Sequence, residues 1–315
     1  MRDVLRSAQR YWLIGFTIAC FILAAVYLEK ITDQLREPIA WHTPYLLAAL
    51  ALQAAFWAIL TLCWQRVVQT FVAKSLPVRA AFVQLTLVNL GKYLPGKLWG
   101  MLARGNYMNR QGMRLNVVLA ATLYEQLQLL HSGLVVGALS AAITFGPRYG
   151  ALLVLVALLS VLLGLRFRNA LLRGLNHIAR RLDRTATASS TSNVGATDYA
   201  ALLGYYALLW ILSGLILVSL YTALFDRVLE PALLAALVLA NTISIVGGFA
   251  AIFAPAGIGV REITLVALLA PVMGMAEAVL LSVISRLWLV AMDLAGGALA
   301  LVLRPRMHRE RPHPL

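Results

Sequence analysis

The chain has 315 residues, of which 61% are hydrophobic and 13% charged, and a formal net charge of +14; its mean hydropathy is +0.80. Soluble domains carry about 25% charged residues, so there is too little polar surface here to cover a water-soluble globule, and lipid is the solvent that suits the excess apolar surface. The positive charge is accordingly read as a topology signal and an attraction to anionic head groups, not as nucleic-acid binding.

In chain order, Arg2, Arg6 and Arg10 precede an apolar run at 11–28. A helix of that length reaches roughly 27 Å, enough to cross the hydrocarbon core and too long for a signal-peptide core. It is expected as a retained first span. Further spans are expected at 44–64, 115–143, 149–165, 199–225, 231–252 and 277–303. Two shorter apolar pieces, 80–91 and 263–274, each stand beside a Gly/Pro-rich break. Cys20 and Cys63 lie inside apolar runs with no metal-ligand spacing and no disulfide framework. The Arg-rich stretch 166–184 reads as a topology anchor continuing as a surface-lying helix, and 185–198, rich in Ser, Thr and Ala, as a flexible linker.

Five segments, 1–10, 65–79, 92–114, 166–184 and 304–315, hold 21 of the 27 cations. That asymmetry puts both termini in the cytoplasm of a cell inner membrane. The piece 80–103 then begins and ends on one side, so it is expected to be a re-entrant hairpin turning at 91–96. Non-helical backbone at membrane depth is tolerated only when buried in protein or facing a wet cavity. In the second half, 231–252 runs inward to a break at 254–259 and 263–274 returns outward. The fold class is therefore an all-α integral membrane protein of about seven or eight transmembrane helices. It forms one transmembrane domain over 1–315: a first half 1–165 with its re-entrant piece 80–103, a basic linker 166–198, a second half 199–303 with a helix broken around 253–263, and a basic tail 304–315. An echo between the two halves (Pro95 and Pro255, each 44 residues before a Gly-Ala-Leu ending at Leu139 and Leu299) fits either an inverted repeat or chance likeness of Leu/Ala-rich helices.

The first break, Gly91-Lys92-Tyr93-Leu94-Pro95-Gly96-Lys97-Leu98-Trp99-Gly100, joins backbone freedom to cations. Glycine permits a tight turn and proline ends a helix, while Lys92, Lys97 and Arg104 would suit a phosphate. A cytoplasmic loop obeying the positive-inside rule is the other reading. The second break, Pro255-Ala256-Gly257-Ile258-Gly259-Val260-Arg261-Glu262, would aim helix N-terminal amides at an anion. Alternatively Arg261 and Glu262 simply pair. Glu125, Arg286 and Asp293 lie deep in spans, where ionisable groups are costly and need partners. Pairing of Glu125 or Glu262 with Arg286 is the structural reading, and a protonatable coupling group the functional one. No nucleophile elbow, metalloprotease helix, P-loop or zinc-spaced cysteine pair occurs, so neither an enzyme nor a metal or cofactor site is expected.

The two break motifs, 91–100 followed by Arg104 and 255–262, resemble the lysylphosphatidylglycerol synthase transmembrane-region family, also called the flippase-like or UPF0104 family. The likeness covers nearly the whole chain in length, motif order and span count. It implies a flippase-type fold and, in bifunctional bacterial members, transfer of aminoacylated phosphatidylglycerol to the outer leaflet. Because the chain stops at Leu315, a standalone member without the synthase domain is expected. Members often show an acidic–basic pair where this chain has Glu125-Gln126, and a second Gly where it has Ala256. The breaks and the resemblance together give as candidate substrate-binding residues Lys92, Tyr93, Pro95, Gly96, Lys97, Arg104, Pro255, Gly257, Gly259, Arg261 and Glu262, and the ionisable residues within spans give Glu125, Arg286 and Asp293 as a candidate intramembrane charge network. The implied partner is a membrane lipid; a homo-oligomer or a lipid-synthesising enzyme is a further candidate. A non-transporting scaffold or accessory subunit of a lipid- or glycan-modifying system is the alternative.

Overall fold

The computed structural model describes residues 39, 41–72, 76–93, 99–109, 113–182, 194–225, 229–251 and 254–303. The expected first span at 11–28 and the motif residues Pro95, Gly96 and Lys97 lie outside the described residues. The described residues form helices and connecting turns without strands. The helices are α1 (Thr43–Val72), α2 (Val78–Gly91), α3 (Trp99–Asn109), α4 (Leu115–Thr144), α5 (Pro147–Leu182), α6 (Ala196–Leu224), α7 (Pro231–Ala250), α8 (Val260–Met273) and α9 (Met275–Leu303). A one-turn 3-10 helix, Pro255–Gly257, precedes α8.

Six of these, α1, α4, α5, α6, α7 and α9, are long and apolar enough to cross a membrane. Their outward faces are rich in leucine: Leu152, Leu155, Leu158, Leu159, Leu162 and Leu163 of α5 are all exposed. In water such a stripe would be an aggregation surface; against acyl chains it has no solvation cost. α6 is the opposite case, with 72% of its apolar window buried, and forms the centre of the bundle. It packs against α1, α4 and α7.

Two helices are too short to span. At 1.5 Å per residue, α2 reaches about 21 Å and α3 about 16 Å, against roughly 30 Å of hydrocarbon. They pack on each other. Gly100 makes the crossing feasible: a Cβ there would stand 2.7 Å from the Cα and carbonyl oxygen of Val88. α8, with 14 residues, is equally short and packs between α7 and α9. It is joined to α9 through Gly274, whose φ of +100° favours glycine.

The stretch 166–182 departs from the sequence-based expectation. It does not begin a separate surface helix but continues α5 unbroken over 36 residues, about 54 Å by helical rise. The reason is an apolar stripe, Leu165, Leu172 and Leu175, that carries on into the same core as Cys63, Trp64 and Tyr199. Arg168 ties down the far side, its Nε donating to the carbonyl of Val194 at 2.8 Å just before α6.

Candidate functional site

The two breaks, 160 residues apart in sequence, meet. The backbone N–H of Ala256 donates to the carbonyl of Lys92 at 2.9 Å. Side chains reinforce the junction. Asp293 of α9 accepts from the hydroxyl of Tyr93 at 2.6 Å and from Lys92 Nζ at 2.7 Å, both on Oδ2. Arg286, two turns earlier on α9, donates from Nη1 to the carbonyl of Ala256 at 3.2 Å. The same Nη1 lies 3.4 Å from Glu262 Oε1. That contact is an ion pair and not an aligned hydrogen bond, since Oε1 has no hydrogen-bond partner of acceptable geometry.

The local backbone explains why the second break is built from small residues. Ala256 has φ of +49°, Gly257 +70° and Gly259 +86°. Three of four consecutive residues thus sit in left-handed space, where a side chain is strained. Gly257 also lies against Gly248 of α7, where an added Cβ would come 2.8 Å from the Gly248 Cα. α8 then begins with the glutamate half of a capping box, since Gly259 has no side chain to complete it. The N–H of Gly259 donates to Glu262 Oε2 at 2.7 Å, so the helix's own carboxylate holds the first amide that an incoming anion would meet.

Arg261 is the group left over. It is only 6% exposed. Its Nη2 reaches the hydroxyl of Ser285 at 3.5 Å, the long limit of a hydrogen bond, and its Nε has no partner among the described residues. Its electrostatic neighbours are Arg286, Glu262, Tyr93 and Asp293. Among the described residues the cluster thus holds three cations, Lys92, Arg261 and Arg286, against two carboxylates, Glu262 and Asp293. Along α9, Arg286 lies about 17 Å and Asp293 about 27 Å from its start at Met275, both inside a helix long and apolar enough to cross a membrane. A crevice beside Asp293 is walled mainly by Trp57, Leu60, Phe82, Leu85 and Met292, with Thr86 and Asn89 as its other polar residues.

Arg104 is elsewhere. It is fully buried and pairs through Nη1 with Glu125 Oε2 at 2.5 Å. Its guanidinium lies 3.7 Å from the ring centroid of Trp64, and the Trp64 indole N–H donates to Gln84 Oε1 at 2.7 Å. This pair fastens α3 to α4 and α1. It corrects two expectations: Arg104 does not join Lys92 and Arg261, and the partner of Glu125 is Arg104, not Arg286. The alternative Glu262–Arg286 pair does form. The missing cation beside Glu125 in sequence is supplied across space.

Farther along α4, Gln128 donates to the hydroxyl of Tyr124 at 2.9 Å, and His131 contacts the hydroxyls of Tyr199 and Ser160 at 3.1 and 3.2 Å. These contacts join α4 to α5 and α6. Sequence reading missed Ser285, Trp64 and Gln84. A serine or an aromatic in an apolar run carries no local signal; only Ser285, adjacent to Arg286, offered a hint. Among the described residues no cluster of three His, Cys, Asp or Glu side chains is placed to hold a metal ion.

Among the described residues, six helices long and apolar enough to span, with two short helices packed on each other and a helix break that meets them, define a multi-pass α-helical membrane protein. The family model of the lysylphosphatidylglycerol synthase TM region matches residues 12–297, and the chain belongs to that family. No curated protein is matched by the chain.

Proposed function

We propose that this protein is a flippase-like transporter that moves an anionic, aminoacylated or glycosylated phospholipid between the leaflets of a cell inner membrane, with both termini cytoplasmic and no bond-making chemistry of its own. The supporting observation is the meeting of the two breaks. Irregular backbone and ionised side chains at membrane depth are costly, and they are kept where they bind or pass a polar group. Here the surplus of one cation gives a phosphate a reason to enter. The partial exposure of Lys92 (31%), Glu262 (26%) and Arg286 (16%) gives it a way in. Broken helices around a midplane site are the architecture from which transporters build alternating access.

A second reading rests on Arg104 and Glu125. Their pair is dry and buried, a structural fastening with no route for a ligand, as a scaffold or accessory subunit for a lipid-modifying enzyme would have throughout. The two readings separate in one assay. The purified protein is placed in liposomes carrying head-group-labelled phosphatidylglycerol, aminoacylated phosphatidylglycerol or a glycolipid, and leaflet exposure is followed by dithionite quenching. Protein-dependent exposure of at least one lipid, lost in folded Arg261→Ala, supports transport. No exposure for any of them favours the scaffold.

A further inference from the structure

We propose that the junction of the two breaks is a seat for one negative charge centred on Arg261, and that Glu262 is a built-in competitor for it, standing on donors that the ligand's phosphate must take over. This rests on the transport reading and deepens it: it fixes the charge of the group recognised and the residue that sets affinity.

Arg261 and Arg286 are electrostatic neighbours at the junction. Two guanidinium groups face one cluster, and the acids around them are already committed. Asp293 is held by Lys92 and by the Tyr93 hydroxyl. Glu262 is held by the Gly259 amide on one oxygen and faces Arg286 with the other. No carboxylate lies within ion-pair distance of Arg261 among the described residues. A buried guanidinium with an unused Nε–H, beside a second arginine, is stabilised by one anion, and a second charge would meet the two carboxylates. The matching ligand chemistry is a phosphate diester with one formal charge. A phosphomonoester, approaching two charges at neutral pH, fits less well.

Glu262 does more than cap α8. A capping box needs only an acceptor at this position, and glutamine serves as well as glutamate. The charge is therefore surplus to the cap. Its effect is to present a carboxylate to the Gly259 N–H and to Arg286, donors beside Arg261 that a phosphate would use. While Glu262 stays, a bound phosphate meets like charge at close range, which weakens its binding. Release of Glu262 toward solvent, on its exposed quarter, clears the seat.

The test is a binding measurement that needs no translocation. Short-chain phosphatidylglycerol is titrated into detergent-solubilised full-length protein, with affinity read from the shift in unfolding temperature. Phosphatidylcholine of equal chain length, phosphatidic acid and inorganic phosphate run as parallel probes. Glu262→Gln keeps the cap, so its fold is retained and only the charge is lost. The expected result is phosphatidylglycerol binding about tenfold tighter in Glu262→Gln than in wild type, and loss of that binding in Arg261→Gln, alone or combined with Glu262→Gln. Arg261→Lys, which keeps the charge, is expected to retain part of it. Binding that is unchanged or weaker in Glu262→Gln overturns the proposal, as does binding that survives in Arg261→Gln. Inorganic phosphate competing as well as phosphatidylglycerol retains the anion seat but overturns the lipid reading beneath it. Absence of dithionite-detected exposure with these binding signs intact overturns transport alone.

Discussion

Ala256 donates its backbone N–H to the carbonyl of Lys92 at 2.9 Å, joining the two irregular segments of the chain by main-chain atoms. The bond depends on backbone geometry that side chains can only assist. Asp293 and Arg286, on one face of α9, provide that assistance from either end of the junction: one through Lys92 and Tyr93, the other through the Ala256 carbonyl.

Replacing Gly257 with alanine tests this geometry. The substitution meets both a φ of +70° and the backbone of Gly248 at 2.8 Å. A strained left-handed residue alone costs about 1–3 kcal/mol. Gly257→Ala should unfold at a lower temperature than wild type, whereas Gly259→Ala, with a positive φ but open space around it, should be milder. Thermal unfolding of both variants in the same detergent checks the order.

Tyr93→Phe removes one of the two donors to Asp293 and leaves Lys92 in place. A hydrogen bond to a charged group contributes about 1.5–3 kcal/mol. The variant should fold, and amide exchange at 254–260 should speed up because the break loses part of its support. Unchanged exchange there would mean that Lys92 alone holds Asp293.

For Arg104 and Glu125 the expectation concerns stability. Breaking a buried pair from one side leaves an uncompensated charge and costs about 3–5 kcal/mol, whereas replacing both partners with apolar groups is often neutral. Arg104→Met and Glu125→Leu should each lower the unfolding temperature sharply, and the double variant should recover most of the loss. A double-mutant cycle on the purified protein measures it.

How much of this was legible beforehand differs by feature. Spans could be read because a long apolar run has few alternative solvents, and both breaks because Gly and Pro interrupt those runs at 91–96 and 254–259. That α2 and α3 are two short helices and not one span followed from the Gly/Pro interruption between them. What could not be read was which charge meets which. Arg104 and Glu125 are 21 residues apart, and nothing local distinguishes that pairing from Glu125 with Arg286. The same holds for Asp293, whose partners Lys92 and Tyr93 are about 200 residues away. Side-chain pairing across a bundle depends on which helices become neighbours, and in a chain of Leu/Ala-rich spans many neighbours are equally apolar. The reach of α5 past the membrane was hidden for a different reason: its arginines masked a leucine stripe of the same helical period.

Gly100→Ala probes the hairpin independently. The new Cβ would collide with the Val88 backbone at 2.7 Å, and main chain has little freedom to yield, so α2 and α3 must separate. Protease accessibility of the 91–100 segment should rise in Gly100→Ala and stay at the wild-type level in Gly174→Ala, where the added Cβ meets nothing within 4 Å.

The central claim is that lipid passes where the breaks meet, and locking that junction tests it most directly. Tyr93→Cys and Ala256→Cys are introduced together after Cys20→Ala and Cys63→Ala, the paired thiols are oxidised, and dithionite exposure of the head-group-labelled lipid that the wild type transports is measured in proteoliposomes. The prediction is that the oxidised protein stops exposing lipid, that a reductant restores exposure, and that either cysteine alone is insensitive to oxidation. Exposure at the unlocked rate with the junction fully cross-linked would contradict a route through the breaks.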